Sequence, residues 1–297
     1  MPRGVPKAGF RMTKNRIANN SGYVKPLAVA KVVVPMIPVV QETEAQIEKR
    51  LDDRFRALDT MTVATVKGNN KSMIISGPAG VGKSYSIGQI LDDNQKKVRS
   101  TVIKGYVKAT GLFKTLYEFR DANCVIVFDD ADSIFSDDVS LNLLKAACDS
   151  TRTRTLSWLS ESKMEDEEGE RLPRSFKFEG SIIFITNYDF DDMIARGSKM
   201  APHFEALVSR SHYLDLSMKT TLDYVVRIKQ VVNKHAMLRT AGFSMTEERL
   251  VVDFIESNKD KLRELSLRMV LKLAGLMRIN PSDWMTLAKT TCFKSGV

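Results

Sequence analysis

Apolar positions along the chain change their period several times, and each change marks an element. From Gln41 to Asp59, Ile47, Leu51, Phe55 and Leu58 fall at spacings of four, four and three, which predicts an amphipathic helix. Short apolar runs then alternate with helical periods. Strands are predicted at 72–76, 99–105, 124–130, 180–187 and 211–216, with helices through about 93 and over 110–121 and 139–150. The runs "CVIVF" and "SIIFIT" have no polar alternation, as expected of strands covered on both faces. This βαβα order predicts a parallel central sheet between helical layers, a three-layer α/β core. Between 152 and 180, "RTLSW" and "SFKFEG" alternate with the strand period around the acidic "ESKMEDEEGE", so a β-hairpin insert is expected. Beyond residue 217 strand signals stop. Segments 221–242, 246–259 and 262–279 read as helices punctuated by Gly242 and Asn258. Residues 1–40 lack helical period, and "VVVPMIPVV" is broken by Pro35 and Pro38, which predicts an extended arm with at most a short edge strand. The organisation expected is an arm (1–40), an α/β core (41–216) carrying the hairpin insert, and a small all-helical domain (217–297).

Charge sharpens this division. Seven of the nine net positive charges lie in residues 1–41, which hold no acid, so the remaining 256 residues carry only +2. The arm is therefore a candidate for nucleic-acid contact, and equally for tethering a neighbouring subunit or an acidic partner. No apolar stretch approaches the roughly 18 residues of a membrane span, and the N-terminal charges are not followed by the apolar core of a secretory signal. Cys124, Cys148 and Cys292 are widely spaced, which argues against disulfides and zinc and for a reducing, cytoplasmic compartment. His203, His212 and His235 share no ligand spacing, so no metal role is assigned to them.

The chemistry concentrates where the 72–76 strand ends. Gly77-Pro78-Ala79-Gly80-Val81-Gly82-Lys83-Ser84 fits GxxxxGK[ST] without a mismatch, between a predicted strand and a predicted helix, and Tyr85 follows it. Glycines let backbone N–H groups turn inward, and the helix N-terminus adds its positive dipole end, so residues 77–85 are expected to cradle the phosphates of ATP. Lys83 is expected between the β- and γ-phosphates, and the Ser84 hydroxyl on Mg²⁺. Asp129, 46 residues after Lys83, ends the apolar 124–130 run and is the expected second Mg²⁺ ligand; the adjacent Asp130 is the expected base for an attacking water.

This order of motifs resembles an AAA+ ATPase over roughly residues 45–280, more specifically the small single-module members of bacteria and bacteriophages. The resemblance implies a P-loop core with a helical lid, ATP hydrolysis in an oligomer, usually a hexameric ring, and a host-cell or phage-infected cytoplasm. Where the family usually has Asp-Glu, this chain has Asp129-Asp130, one methylene shorter, which bears on hydrolysis rather than binding. Asn187, closing "SIIFIT", is similar to sensor 1. Arg210, in "ALVSRS", is similar to the arginine finger that enters a neighbour's nucleotide site. Arg268, in "SLRMV", resembles the sensor 2 arginine of the lid, with an outward-snorkelling arginine at the core edge as the alternative; Arg263 and Arg278 are weaker candidates.

The work done on a substrate is less legible. "KGYVKATG" offers an aromatic for gripping peptide (Tyr106) and lysines for nucleic acid (Lys104, Lys108), and does not discriminate. Arg152, Arg154, Arg171 and Arg174 flank the insert and either contact DNA or pair with its acidic tip, while Trp158 reads as packing. The leading expectation is an ATPase that remodels a nucleic-acid or replication-related assembly. The alternatives are a peptide-threading unfoldase acting on an unknown protein, and a slowly hydrolysing, nucleotide-gated scaffold. A nucleoside kinase fits less well, given Arg210 and the helical lid.

Overall fold

A computed structural model describes residues 42–159, 164–165 and 169–296. The basic arm and most of the insert's acidic tip lie outside the described residues. Helix α1 (Glu44–Val66) starts at a capping box in which Thr43 and Gln46 satisfy each other's backbone. Its buried stripe is the one predicted, but it runs seven residues further than Asp59, through Thr62 and Thr65. Their hydroxyls donate to the carbonyls of Leu58 and Met61, so two polar side chains enter the interior already partnered and mask the helical period in the sequence.

The sheet is built from β1 (Ser72–Ser76), β2 (Arg99–Lys104), β3 (Cys124–Asp129), β6 (Ser181–Thr186) and β7 (His212–Asp215), all parallel, in the order β2-β3-β6-β1-β7. Helices α2 (Lys83–Asn94), α3 (Ala109–Glu118) and α4 (Asp138–Ala147) make the crossovers. Two apolar clusters cover its faces. One centres on Ile126, Phe128, Phe184, Phe190 and Phe204, the other on Ile75, Val127, Ile183 and Leu216. Phe128 stacks on Phe184 across the β3–β6 pair at 5.7 Å. Two short helices that the apolar pattern does not announce, α5 (Phe190–Ala195) and α6 (Ala201–Val208), pack Phe190 on Phe204 at 4.5 Å. They are one to two turns long, too short for a period to show.

Strands β4 (Arg154–Ser157) and β5 (Ser175–Phe178) pair antiparallel as a separate ribbon. Leu156, Phe176 and Phe178 face the core, where Phe113 meets Trp158 and Phe176. The C-terminal helices surround their own apolar cluster, including Val251, Ile255, Val270, Leu273 and Ala288. The predicted helix over 221–242 is interrupted: α7 (Thr221–Lys229) passes into a π-turn at Gln230–Lys234, and Ala236 sits at φ 53° before α8 (Met237–Thr240). After α9 (Met245–Ser257), α10 (Leu267–Ile279) begins five residues later than expected. Leu262 instead bridges to Phe293, beyond α11 (Trp284–Cys292), and Ser266 caps α10. Cys124, Cys148 and Cys292 are buried free thiols.

Candidate functional site

Parallel register brings the carboxyl ends of the strands together: Ser76 lies beside Thr186, and Lys104 beside Asp129. Ligands of open α/β sheets bind along this edge. The loop leaving β1 turns through Gly77, Gly80 and Gly82 at φ 151°, 74° and 104°. A Cβ at Gly77 would come within 3.0 Å of Leu216, so that position admits little besides glycine. Gly82 precedes α2 and supplies no side-chain cap, which leaves the helix's first amides without a side-chain acceptor.

Lys83 is buried. Its Nζ donates to the carbonyls of Gly77, Pro78 (3.1 Å) and Thr186 (3.3 Å) and to Asn187 Oδ1 (3.1 Å). Burial pushes its pKa down to about 8, against the pull of Asp130, Asp129 and Asp132. The Ser84 hydroxyl donates to Asp129 Oδ1 at 2.8 Å, while the other oxygen of this buried carboxylate pairs with Lys104 Nζ at 2.8 Å. Asp130 leaves β3 in the left-handed region at φ 53° and accepts from Asn187 Nδ2 at 3.0 Å. Asn187 thus joins Lys83 to Asp130. Tyr85 is 69 % exposed and accepts from Gln89 Nε2 at 2.8 Å along its own helix.

The C-terminal helices reach the same loop. Leu267 N donates to Gly80 O at 2.7 Å, and a Cβ at Gly80 would lie 2.8 Å from Ser266 Cβ and 3.5 Å from Arg268 Cγ. Arg268 is exposed beside the loop, and its charge lowers the Lys83 pKa. Arg263 and Arg278 are elsewhere: the first approaches Ser295, the second covers Phe243 and donates to Ala241 O. Arg210 precedes β7, at the opposite end of the sheet from the loop. There it donates to Ala206 O at 2.7 Å and lies 3.9 Å from Asp149, so the fold does not gather it with the other candidates.

Three residues at this site were not singled out as site residues in the sequence. Arg227 of α7 is buried over the Phe55 ring and donates from Nε to Val81 O at 3.2 Å; burial pushes its pKa down to about 10. Asp132 accepts from Thr186 Oγ1 at 2.6 Å, and burial pushes its carboxyl up. Lys104 is the partner of Asp129. Arg227 sits in "YVVRIK" like any polar residue on a helix, and nothing in the sequence marks it. The acid pair at 129–130 could have drawn attention to Asp132, two residues on.

The donor set fits a triphosphate and a divalent cation. The first amides of α2 lack a side-chain cap, a buried ammonium lies beside them, and Asp129 already holds a positive charge on Oδ2. Among the described residues no group of three His, Cys, Asp or Glu could hold a metal. A hard cation here would therefore be shared between Ser84, Asp129, water and phosphate, as Mg²⁺ usually is.

A parallel sheet with this loop between β1 and α2 and an acid at the end of a neighbouring strand defines a P-loop nucleotide-binding protein. Residues 73–205 match the ATPase family associated with various cellular activities (AAA), and the chain belongs to that family. An uncharacterized 36.7 kDa protein from the nrdC-mobD intergenic region of Enterobacteria phage T4 is 38 % identical over 251 residues, covering 84 % of this chain and 76 % of that protein. Among solved structures, a RuvB mutant of Thermotoga maritima (TM-score 0.43, 12 % identity) covers 84 % of this chain and is itself 72 % covered. Domain III of the Thermotoga maritima replication initiation protein DnaA (TM-score 0.46, 12 % identity) gives 80 % and 92 %. No described helix is long and apolar enough to cross a membrane.

Proposed function

We propose that this protein is an ATP hydrolase that works as an oligomer, with Arg210 of one subunit completing the site of the next, and that it remodels a nucleic-acid or replication-related assembly. The observation that supports the nucleotide reading is the Ser84–Asp129 hydrogen bond of 2.8 Å, which brings the loop hydroxyl against the strand-end acid, the pair a shared divalent cation would need. Bound Mg-ATP supplies the phosphoanhydride and the cation that neutralises it. The loop amides and Lys83 hold the phosphate tail, and Asp130, oriented by Asn187, takes a proton from water. Arg268 senses occupancy from the C-terminal helices, which act as a lid.

The position of Arg210 supports sharing between subunits, since it is far from its own loop. A guanidinium supplied in trans is worth 10³–10⁵ in rate. Nucleic acid as the object of the work is supported by the charge gathered in the first 41 residues. One observation favours the slowly turning scaffold as second reading: the Asp130 carboxylate is short, left-handed and already engaged by Asn187.

The test is steady-state ATPase against protein concentration, with and without DNA, for wild type, Arg210→Ala, Lys83→Ala and a mixture of the two variants. Activity that rises with concentration, falls at least 10³-fold in each variant and partly returns in the mixture supports the proposal. Turnover independent of concentration and indifferent to Arg210→Ala overturns the shared site. Tight ATP binding with background turnover in wild type selects the scaffold.

A further inference from the structure

At the end of the sheet remote from the glycine loop, a cavity of about 270 Å³ opens beneath the β4–β5 ribbon, and its charged lining is one-sided. Lys71, Arg152, Arg154 and Lys177 line it against a single acid, Glu179. None of the four cations forms an ion pair among the described residues. Arg154, only 6 % exposed, spends its hydrogen bonds on the carbonyls of Ala147 (2.7 Å) and Gly180 (2.8 Å) and stacks on Phe178 at 4.9 Å. Lys71 donates to the carbonyls of Asp149, Ser150 and Thr151. Both side chains are held charged by neutral dipoles, and burial lowers the pKa of each. Four cations against one acid leave the cavity a net positive field, to which a polyanion is complementary.

We propose that this cavity and the outer face of the ribbon bind the phosphate backbone of a nucleic acid. Lys177 stands opposite Thr155, and Ser157 opposite Ser175, so the exposed face offers a lysine and three hydroxyls. Together with arginine and lysine, these are the side chains that contact phosphate without reading sequence. Arg152 and Lys177 are exposed at the cavity's edge, where a polymer running along the ribbon reaches them while Lys71 and Arg154 reinforce the field from below. Four residue pairs, three rises of the strand, span about 10 Å, room for about three consecutive phosphates of one strand. The proposal rests on the nucleic-acid part of the function proposed above and is independent of hydrolysis.

The test uses the full chain and a fluorescent 30-nucleotide oligo-dT, with affinity followed against salt. Arg152→Gln with Lys177→Gln should flatten the log–log salt slope by about 1.4 and weaken binding about 25-fold at 0.1 M salt, two contacts at about 0.7 each. Arg152→Lys with Lys177→Arg should restore both, and a fluorescent ATP analogue should bind all variants alike. Lys49→Gln with Lys289→Gln, which removes equal charge from α1 and α11, should leave the slope within about 0.4. An unchanged slope in the first variant, or an equal loss in the second, overturns the cavity while sparing the nucleic-acid reading. No binding by wild type overturns both. Competition by inorganic phosphate or ADP at micromolar concentration identifies a small-anion site and also overturns the proposal.

Discussion

Gly80→Ala tests whether the C-terminal helices are seated on the glycine loop. Two costs follow from the geometry. The backbone at φ 74° disfavours an L side chain by about 1–2 kcal/mol. The new methyl would lie 2.8 Å from Ser266 Cβ, inside any ordinary contact, and relieving such overpacking costs about 1–3 kcal/mol. A loss of about 2–5 kcal/mol is expected from urea titration at 25 °C, with an unchanged m-value. The contributions separate in a double-mutant cycle. Ser266→Gly removes the clashing atom and replaces a helix cap at a cost of only a few tenths of a kcal/mol. Combined with Gly80→Ala it should recover at least about 1 kcal/mol, leaving the backbone strain. If Gly80→Ala costs less than about 0.5 kcal/mol, or the cycle shows no coupling, Ser266 does not rest on the loop and the argument fails.

Four further outcomes are expected. Lys83 titrates near 8 folded and 10.5 unfolded, so the unfolded chain binds more protons between those values; stability should rise with pH across that window, by up to about 3 kcal/mol, and denaturation of Lys83→Met should lack the slope. Nucleotide affinity should move the other way, falling up to tenfold per pH unit above 8 as the ammonium is lost, readable with a fluorescent ATP analogue. Arg227→Met should leave the unfolding free energy from urea titration within about 1 kcal/mol of wild type, because a buried guanidinium bonded to Val81 O gives back in desolvation much of what it gains; a loss above about 3 kcal/mol would contradict this. Arg154→Lys should cost about 1–3 kcal/mol by calorimetry or urea, since one ammonium does not span both carbonyls.

What the sequence discloses follows the physics of each contact. The loop at 77–84 and the acid at 129 are legible because the glycines and Lys83-Ser84 fall in one contiguous stretch between a strand and a helix, and because Asp129 closes an unbroken apolar run. The buried strands are legible because Ile182–Ile185 and Val125–Phe128 have solvent on neither face. The contact of the C-terminal helices with Gly80 is not, because it joins residues nearly two hundred positions apart through a backbone carbonyl that any sequence possesses. Lys104 becomes a partner of Asp129 only once β2 and β3 are in register. The break at Ala236 escapes notice because alanine is the last residue expected at positive φ.

Arg154 ties the last turn of α4 to the residue preceding β6, and Gly180 is pressed so close to the chain at Phe119 that a Cβ there would stand 2.5 Å from its carbonyl oxygen. The excursion between them is cinched at its root. Substitutions at the outward positions Thr155, Ser157, Ser175 and Lys177 are therefore decoupled from β6 by these anchors, and Thr186 and the adjoining Asn187 keep their place.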